Sequence, residues 1–289
     1  MKNIVKHTLV FFKGFVMGIA EIVPGVSGST LALVMKIYFQ FISLLFEVSN
    51  LFKEILLLFI FKSNFQKISK VFKKIDLTFA FFLFGGMVLA ILLFSNIMSY
   101  LLEERKEFVL AFFFGLVFAS VFVPWAEIKK KTIKEILIVF FTFVLFFFLL
   151  SLKPYVLTET PHPIYFFFAG AIAICAMVLP GVSGSFIFLM LGVYEFIVNY
   201  IRNLTRLEII NSEILNLIFV FLGIVFGFSI FVRILKHGLK NHSPIIFAIL
   251  TGIILASLRV LWIDFTQTLL LPLTSVVGFG VVFFLRKLS

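Results

Sequence analysis

The sequence predicts an all-α, polytopic membrane protein made of two inverted repeats, each a re-entrant helical hairpin followed by three transmembrane helices. Three observations carry that expectation. Apolar residues fill 62% of the 289 positions, 44 of them Phe, against 13% charged, and the mean hydropathy is +1.19. Soluble domains hold roughly 45–50% apolar residues, and one water-surrounded core cannot hide the excess. The apolar residues fall in stretches near 20 residues, the length that crosses the roughly 30 Å hydrocarbon core as a helix. Finally, the run Pro-Gly-Val-Ser-Gly-Ser occurs twice, at 24–29 and 180–185, each time between apolar arms. Soluble enzymes, disulfide-stapled secreted domains and disordered chains are excluded by composition alone.

In chain order, Lys2 and Lys6 precede an apolar run that Lys13 interrupts, with no clean small-residue cleavage site, so the N-terminus reads as retained. Arms at about 8–23 and 30–46 flank the first motif. Residues 49–61, with Lys53 and Glu54 among Leu and Phe, read as a short helix lying at the membrane interface. Spans follow at about 77–101, 108–124 and 133–152. Arms at about 164–179 and 184–201 flank the second motif, and spans at about 214–235, 244–263 and 268–285 complete the chain. Arms of this length give roughly 24–27 Å of helix, short of the core thickness. The first also carries Lys13 and Glu21, and a Gly-rich break at membrane depth is tolerated only inside protein or beside a wet cavity. Re-entrant hairpins therefore fit better than lipid-facing spans.

The net charge of +11 has a sidedness that explains it. With both termini in the cytoplasm and each hairpin returning to its own side, 17 Lys and Arg fall on cytoplasmic segments. Five, namely Arg105, Lys106, Lys153, Arg202 and Arg206, fall outside. Lys36, Lys53 and Arg259 sit in or beside apolar segments. This is the positive-inside bias, so no nucleic-acid partner is implied.

Residues 14–42 align without gaps to 170–198, and a second block recurs at an offset of 137, pairing Gly86 with Gly223, Gly115 with Gly252, Ser120 with Ser257 and Trp125 with Trp262. The chain is thus one transmembrane domain, 1–289, with repeat one at about 1–152 and repeat two at about 153–289. Three spans after each hairpin is an odd number, so the halves are inverted. Inverted repeats with broken helices at matching positions are the pattern of secondary transporters, which hold substrate near the midplane between repeats.

The chemistry concentrates at the motifs. Pro24 and Pro180 stop the preceding arms, Gly25, Gly28, Gly181 and Gly184 allow close backbone approach, and Ser27, Ser29 and Thr30, like Ser183 and Ser185, open the next helix around Val26 and Val182. One reading is a capped helix start in a buried turn. The other is that two helix N-termini meet near the bilayer centre and offer amides and hydroxyls to an anion such as phosphate. Neither motif carries the Lys of a nucleotide-binding loop. Arg259 either snorkels to headgroups or faces the bundle and clamps phosphate. Glu21, three residues before Pro24, is either a proton- or cation-coupling group or a satisfied structural acid; the second repeat has Met177 there. Tyr38 and Tyr194 read as interfacial anchors. Cys175 reads as a small buried hydrophobe, and His7, His162, His237 and His242 show no ligand spacing, so no metal and no cofactor are expected.

At Gly18–Leu33, Val178–Phe186 and Leu191–Tyr194 the chain resembles the bacterial polyprenyl-phosphate transporters, and the likeness covers nearly all of it. The resemblance implies recycling of undecaprenyl phosphate from the outer to the cytoplasmic leaflet of the bacterial inner membrane, with Pro24–Thr30 and Pro180–Ser185 as the motif. Ser29 and Lys36 stand where Gly is expected. Undecaprenyl-diphosphate phosphatases are similar in architecture and supply the alternative, but they carry an Arg where this chain has Gly28 and Gly184. Inward movement of a phosphate bearing roughly 1.5–2 charges opposes an inside-negative potential at about 2.3 kcal/mol per charge per 100 mV, so protons or cations are expected as coupling partners.

Overall fold

The computed structural model describes residues 2–23, 25–61, 65–206, 208, 210–266 and 268–287; Pro24 lies outside them. The described residues form thirteen helices and no strand: α1 (Lys2–Ile22), α2 (Gly28–Val34), α3 (Tyr38–Phe61), α4 (Phe65–Phe72), α5 (Leu77–Glu104), α6 (Lys106–Glu127), α7 (Ile133–Ser151), α8 (Pro163–Val178), α9 (Gly184–Met190), α10 (Tyr194–Arg206), α11 (Asn211–Asn241), α12 (Ser243–Ser257) and α13 (Leu270–Lys287). Among them α5, α6, α7, α11 and α13 are long and apolar enough to cross a bilayer. The protein is an all-α, multi-pass membrane protein. Its outer face suits that solvent: α5 and α7 turn Phe81, Leu92, Phe141 and Phe148 outward at 64–74% exposure, and α7 buries only Leu150. Apolar side chains on that scale are stable only against lipid.

Glycines set the helix pairs. A Cβ on Gly14 would strike the Leu83 carbonyl, and one on Gly86 the Phe11 carbonyl, so α1 and α5 pack backbone against backbone. The same pair of contacts recurs between α8 and α11, where Gly170 meets the Val220 carbonyl and Gly223 the Phe167 carbonyl. Each partner stands at the sequence offset found above, 156 for the arms and 137 for the spans. Gly115 meets Ser275 on α13, while its repeat partner Gly252 meets Val139 on α7. The second span of each half therefore packs on the third span of the other, and α6 and α12 form the buried centre. Without a hydrophobic force between helices in lipid, such close approach is what holds them.

Each motif folds its helix back on the preceding arm. In the first hairpin Lys13 Nζ donates to the Met35 carbonyl at 2.9 Å, and in the second the Tyr165 hydroxyl donates to the equivalent Leu191 carbonyl at 2.9 Å. Both returning helices then end in one device. Lys36 and Ile37 N–H bond to Leu33 and Ala32 carbonyls, and Gly192 and Val193 N–H to Leu189 and Phe188 carbonyls. That is the Schellman pattern, whose first residue past the cap takes a left-handed backbone. Gly192 has φ +72° there and Lys36 has φ +56°. A side chain in that region costs roughly 1–2 kcal/mol. Lys36→Gly is therefore expected to stabilise the protein by about 1 kcal/mol, read as a raised thermal midpoint in detergent.

These breaks correct the expected boundaries. The arm at 30–46 and the interfacial helix at 49–61 are instead a seven-residue α2 and a continuous 24-residue α3. α3 runs along α11, with Glu47 3.5 Å from Lys236 and Ser49 donating to the Ser229 carbonyl at 3.4 Å. The arm at 184–201 is likewise α9 and α10, bent by 112° at Gly192. Tyr38 is no interfacial anchor: it is buried, and its hydroxyl donates to the Val178 carbonyl at 3.2 Å, whereas Tyr194 is exposed. The span at 244–263 stops at Ser257, where Arg259 and Val260 N–H turn back to Ala256 and Ser257 carbonyls.

Candidate functional site at the two hairpin tips

At the first tip Val26 N–H returns to the Val23 carbonyl at 3.1 Å, and Gly25 takes φ +85°; at the second, Gly181 takes φ +94°. Only Gly adopts these angles cheaply. Ser27 and Ser183 hold extended backbones at the starts of α2 and α9, the position from which a hydroxyl usually caps. Neither does. Each hydroxyl pairs instead with the next one but one, Ser27 with Ser29 and Ser183 with Ser185, both at 2.7 Å.

The two tips touch. The Gly181 N–H of the second donates to Thr30 Oγ1 of the first at 2.9 Å, across 151 residues of sequence. Both tips also rest on the end of α12: a Cβ on Gly181 would lie 3.0 Å from the Ile254 Cα, and one on Gly25 would lie 2.7 Å from a Val260 methyl. Thr30→Val keeps the shape and leaves a buried amide unpaired, at a cost of roughly 1–3 kcal/mol. The expected drop in thermal midpoint should be absent in Ser185→Ala, whose hydroxyl is exposed.

The tips differ in two respects. Glu21 Oε1 accepts the Gly28 N–H at 2.8 Å, so a carboxylate, not a serine, caps the first tip. With Lys13 at the other end, α1 brackets the short α2: acid at its N-terminus, ammonium at its C-terminus, the signs its dipole favours. Those two residues stand eight apart on α1, roughly 12 Å, enough to span the roughly 10 Å rise of the seven-residue α2. In the second hairpin Met177 and Ala169 stand at the equivalent positions, and no side chain among the described residues caps α9. The first tip, Gly25–Thr30, is buried, whereas Ser183 and Gly184 are half-buried and Ser185 is exposed.

Gly28 and Gly184 share one constraint. A Cβ at either would lie 3.1 Å from a carbonyl of the preceding arm, Met17 or Ala173, and at Gly28 only 2.7 Å from Glu21 Oε1. Arg259 is exposed, just past the end of α12, and its guanidinium has no hydrogen-bond or ion-pair partner among the described residues; its neighbour Val260 is the residue that touches Gly25. Of the expected site residues, Thr30 and Gly181 thus meet directly, and Gly25 touches the turn that carries Arg259. The sequence reading missed Lys13 and Tyr38 as parts of this assembly. A Lys and a Glu two helical turns apart inside an apolar run were the available signal.

These features define a polytopic membrane protein with two broken-helix hairpins joined tip to tip in its interior. A model of the undecaprenyl phosphate translocase-like family matches residues 17–276, and the chain belongs to that family. It is 32% identical over 253 residues to a polyprenyl-phosphate transporter of Vibrio cholerae, covering 87% of this chain and 76% of that one. It is 29% identical over 281 residues to a polyprenyl-phosphate transporter of Staphylococcus aureus, covering 94% and 92%. No solved structure matches the chain.

Proposed function

We propose that the protein carries undecaprenyl phosphate, or a close polyprenyl phosphate, across the bacterial inner membrane from the outer to the cytoplasmic leaflet, with both termini in the cytoplasm. Family membership supports the substrate class, and the observation that carries the site is the bond joining Gly181 to Thr30. The tips supply neutral amides and hydroxyls, which suit an anion that must be released again. In this reading the halves are inverted, the phosphate head passes through the tips while the prenyl tail stays in lipid, and access alternates by rocking of one half against the other. The conformation described has a buried first tip and an open second one, which suits a state accessible from the second side only.

The Glu21 contact suggests how transport is coupled. A carboxylate on the Gly28 amide occupies a donor that a phosphate would use, and two anions cannot share it. A proton or cation that neutralises Glu21 removes the repulsion between the two anions and weakens its hold on that amide, so the phosphate and the coupling ion load together. The positive ion offsets the charge that the membrane potential opposes. A phosphatase-like reaction has no comparable support: phosphoryl transfer needs cationic stabilisation, and a side chain at 28 or 184 would press on the carbonyls of Met17 or Ala173.

Reconstitution with undecaprenyl phosphate and its diphosphate, scoring both leaflet exchange and phosphate release, tests the reading. Exchange without release is expected; release without exchange would replace it with the phosphatase. Arg259→Ala is expected to weaken polyprenyl-phosphate binding about tenfold, or about 1.4 kcal/mol. Unchanged binding would leave Arg259 as a headgroup anchor.

A further inference from the structure

A second feature suited to a lipid phosphate lies away from the tips, on the side of the bundle where α3 packs along α11. Phe52 and Leu56 of α3, Phe167 of α8 and Phe221 and Phe226 of α11 wall a groove of about 640 Å³. It opens sideways, since Phe52, Leu56, Phe221 and Phe226 are 40–60% exposed, so in a bilayer an apolar chain fills it. From Phe221 to Arg233 it follows α11 for twelve residues, roughly 18 Å. At about 30 Å³ for each water-sized group, its volume holds roughly twenty chain carbons.

One end of this apolar groove is basic. Arg233 and Lys53 both line it. The Arg233 Nη2 reaches Asn50 Oδ1 only at 3.5 Å, and its Nε is buried with no hydrogen-bond partner. Lys53 stands one turn beyond Asn50 and has no partner among the described residues. The nearby carboxylate of Glu47 is engaged by Lys236 at 3.5 Å. A buried guanidinium donor without an acceptor, beside an unpaired ammonium at the edge of an apolar trough, is costly unless an anion completes it. The anion must arrive on an apolar tail, because the trough opens to lipid.

We infer that this groove binds the single chain of a prenyl phosphate, with Arg233 and Lys53 holding its head-group oxygens. A prenyl phosphate joins one apolar chain to one anionic head, the two features that the apolar walls and the basic residues of the groove match. The inference rests on the transporter reading and adds to it a holding place outside the tips. On the proposed topology Arg233 lies toward the cytoplasmic end of α11, so the groove receives the lipid on the side where it is delivered.

The test uses the full-length protein in nanodiscs and a farnesyl phosphate probe with a photoreactive group at the tail end, with labelled residues mapped by mass spectrometry. Labelling of the segments around Phe52 and Phe226 is expected, displaced by unlabelled farnesyl phosphate and not by farnesol or phosphatidylglycerol. Arg233→Gln and the surface change Lys53→Gln are each expected to lower that labelling at least fivefold. Equal displacement by phosphatidylglycerol would show a general lipid contact and overturn the proposal, as would labelling unchanged in both variants or absent from the groove. Leaflet exchange of undecaprenyl phosphate by the same preparation separates the two claims. Exchange without groove labelling sinks the groove alone, and a protein that neither exchanges the lipid nor labels at the groove sinks both.

Discussion

In Glu21→Gln, head-group translocation of undecaprenyl phosphate in proteoliposomes is expected to lose its dependence on proton or cation gradients and to fall at least tenfold. The substitution is nearly isosteric, and the Gln oxygen can still accept the Gly28 N–H that Glu21 Oε1 holds at 2.8 Å, so the hairpin should fold. What disappears is the charge that can be neutralised. With a permanently neutral acceptor at the tip, phosphate binding no longer requires an accompanying cation, and the lipid must cross against about 2.3 kcal/mol per charge per 100 mV unaided. A tenfold loss is about 1.4 kcal/mol, less than that opposing work. Translocation that keeps its full rate and gradient dependence in this variant would reduce Glu21 to a structural cap of α2.

Gly86→Ala is expected to cost about 3 kcal/mol and to abolish recovery of monodisperse protein, while Gly85→Ala, one residue earlier, should be tolerated or gain up to about 1 kcal/mol of helix propensity. A Cβ on Gly86 falls on the Phe11 carbonyl, and backbone cannot yield as a side chain can; a Cβ on Gly85 comes no nearer than 3.9 Å to the Phe11 ring. Two adjacent glycines on one helix thus separate close approach from the intrinsic cost of Gly. Size-exclusion profiles and thermal midpoints in one detergent make the comparison, and equal behaviour of the two variants would contradict the backbone packing of α1 on α5.

Where the sequence succeeded and failed follows from what hydropathy measures. Long spans such as 77–101 and 133–152 were legible because uninterrupted apolar runs of that length have few other uses. Hydropathy does not report helix continuity, however. Leu258, Val260 and Leu261 are apolar, so the turn that ends α12 at Ser257 was invisible, and Arg259 was placed inside a helix it actually follows. The breaks at 35–37 and 191–193 were both missed: in the first a Lys occupies the left-handed position, and in the second the Gly192 that takes it stands inside an otherwise apolar run. The meeting of the tips was legible as a pair of matched Pro-Gly motifs. Their inequality was not, because it depends on which neighbour reaches each amide: Glu21 for Gly28, Thr30 for Gly181.

The joined tips are the proposed resting place of the lipid phosphate. An experimental structure of the protein with a polyprenyl phosphate bound tests this most directly. Phosphate oxygens are expected within hydrogen-bonding distance of the Ser183 and Ser185 hydroxyls and of the amides that begin α9, with Thr30 and Gly181 still adjacent. A phosphate bound elsewhere, with the Ser27–Ser29 and Ser183–Ser185 pairs intact and the tips drawn apart, would contradict that placement.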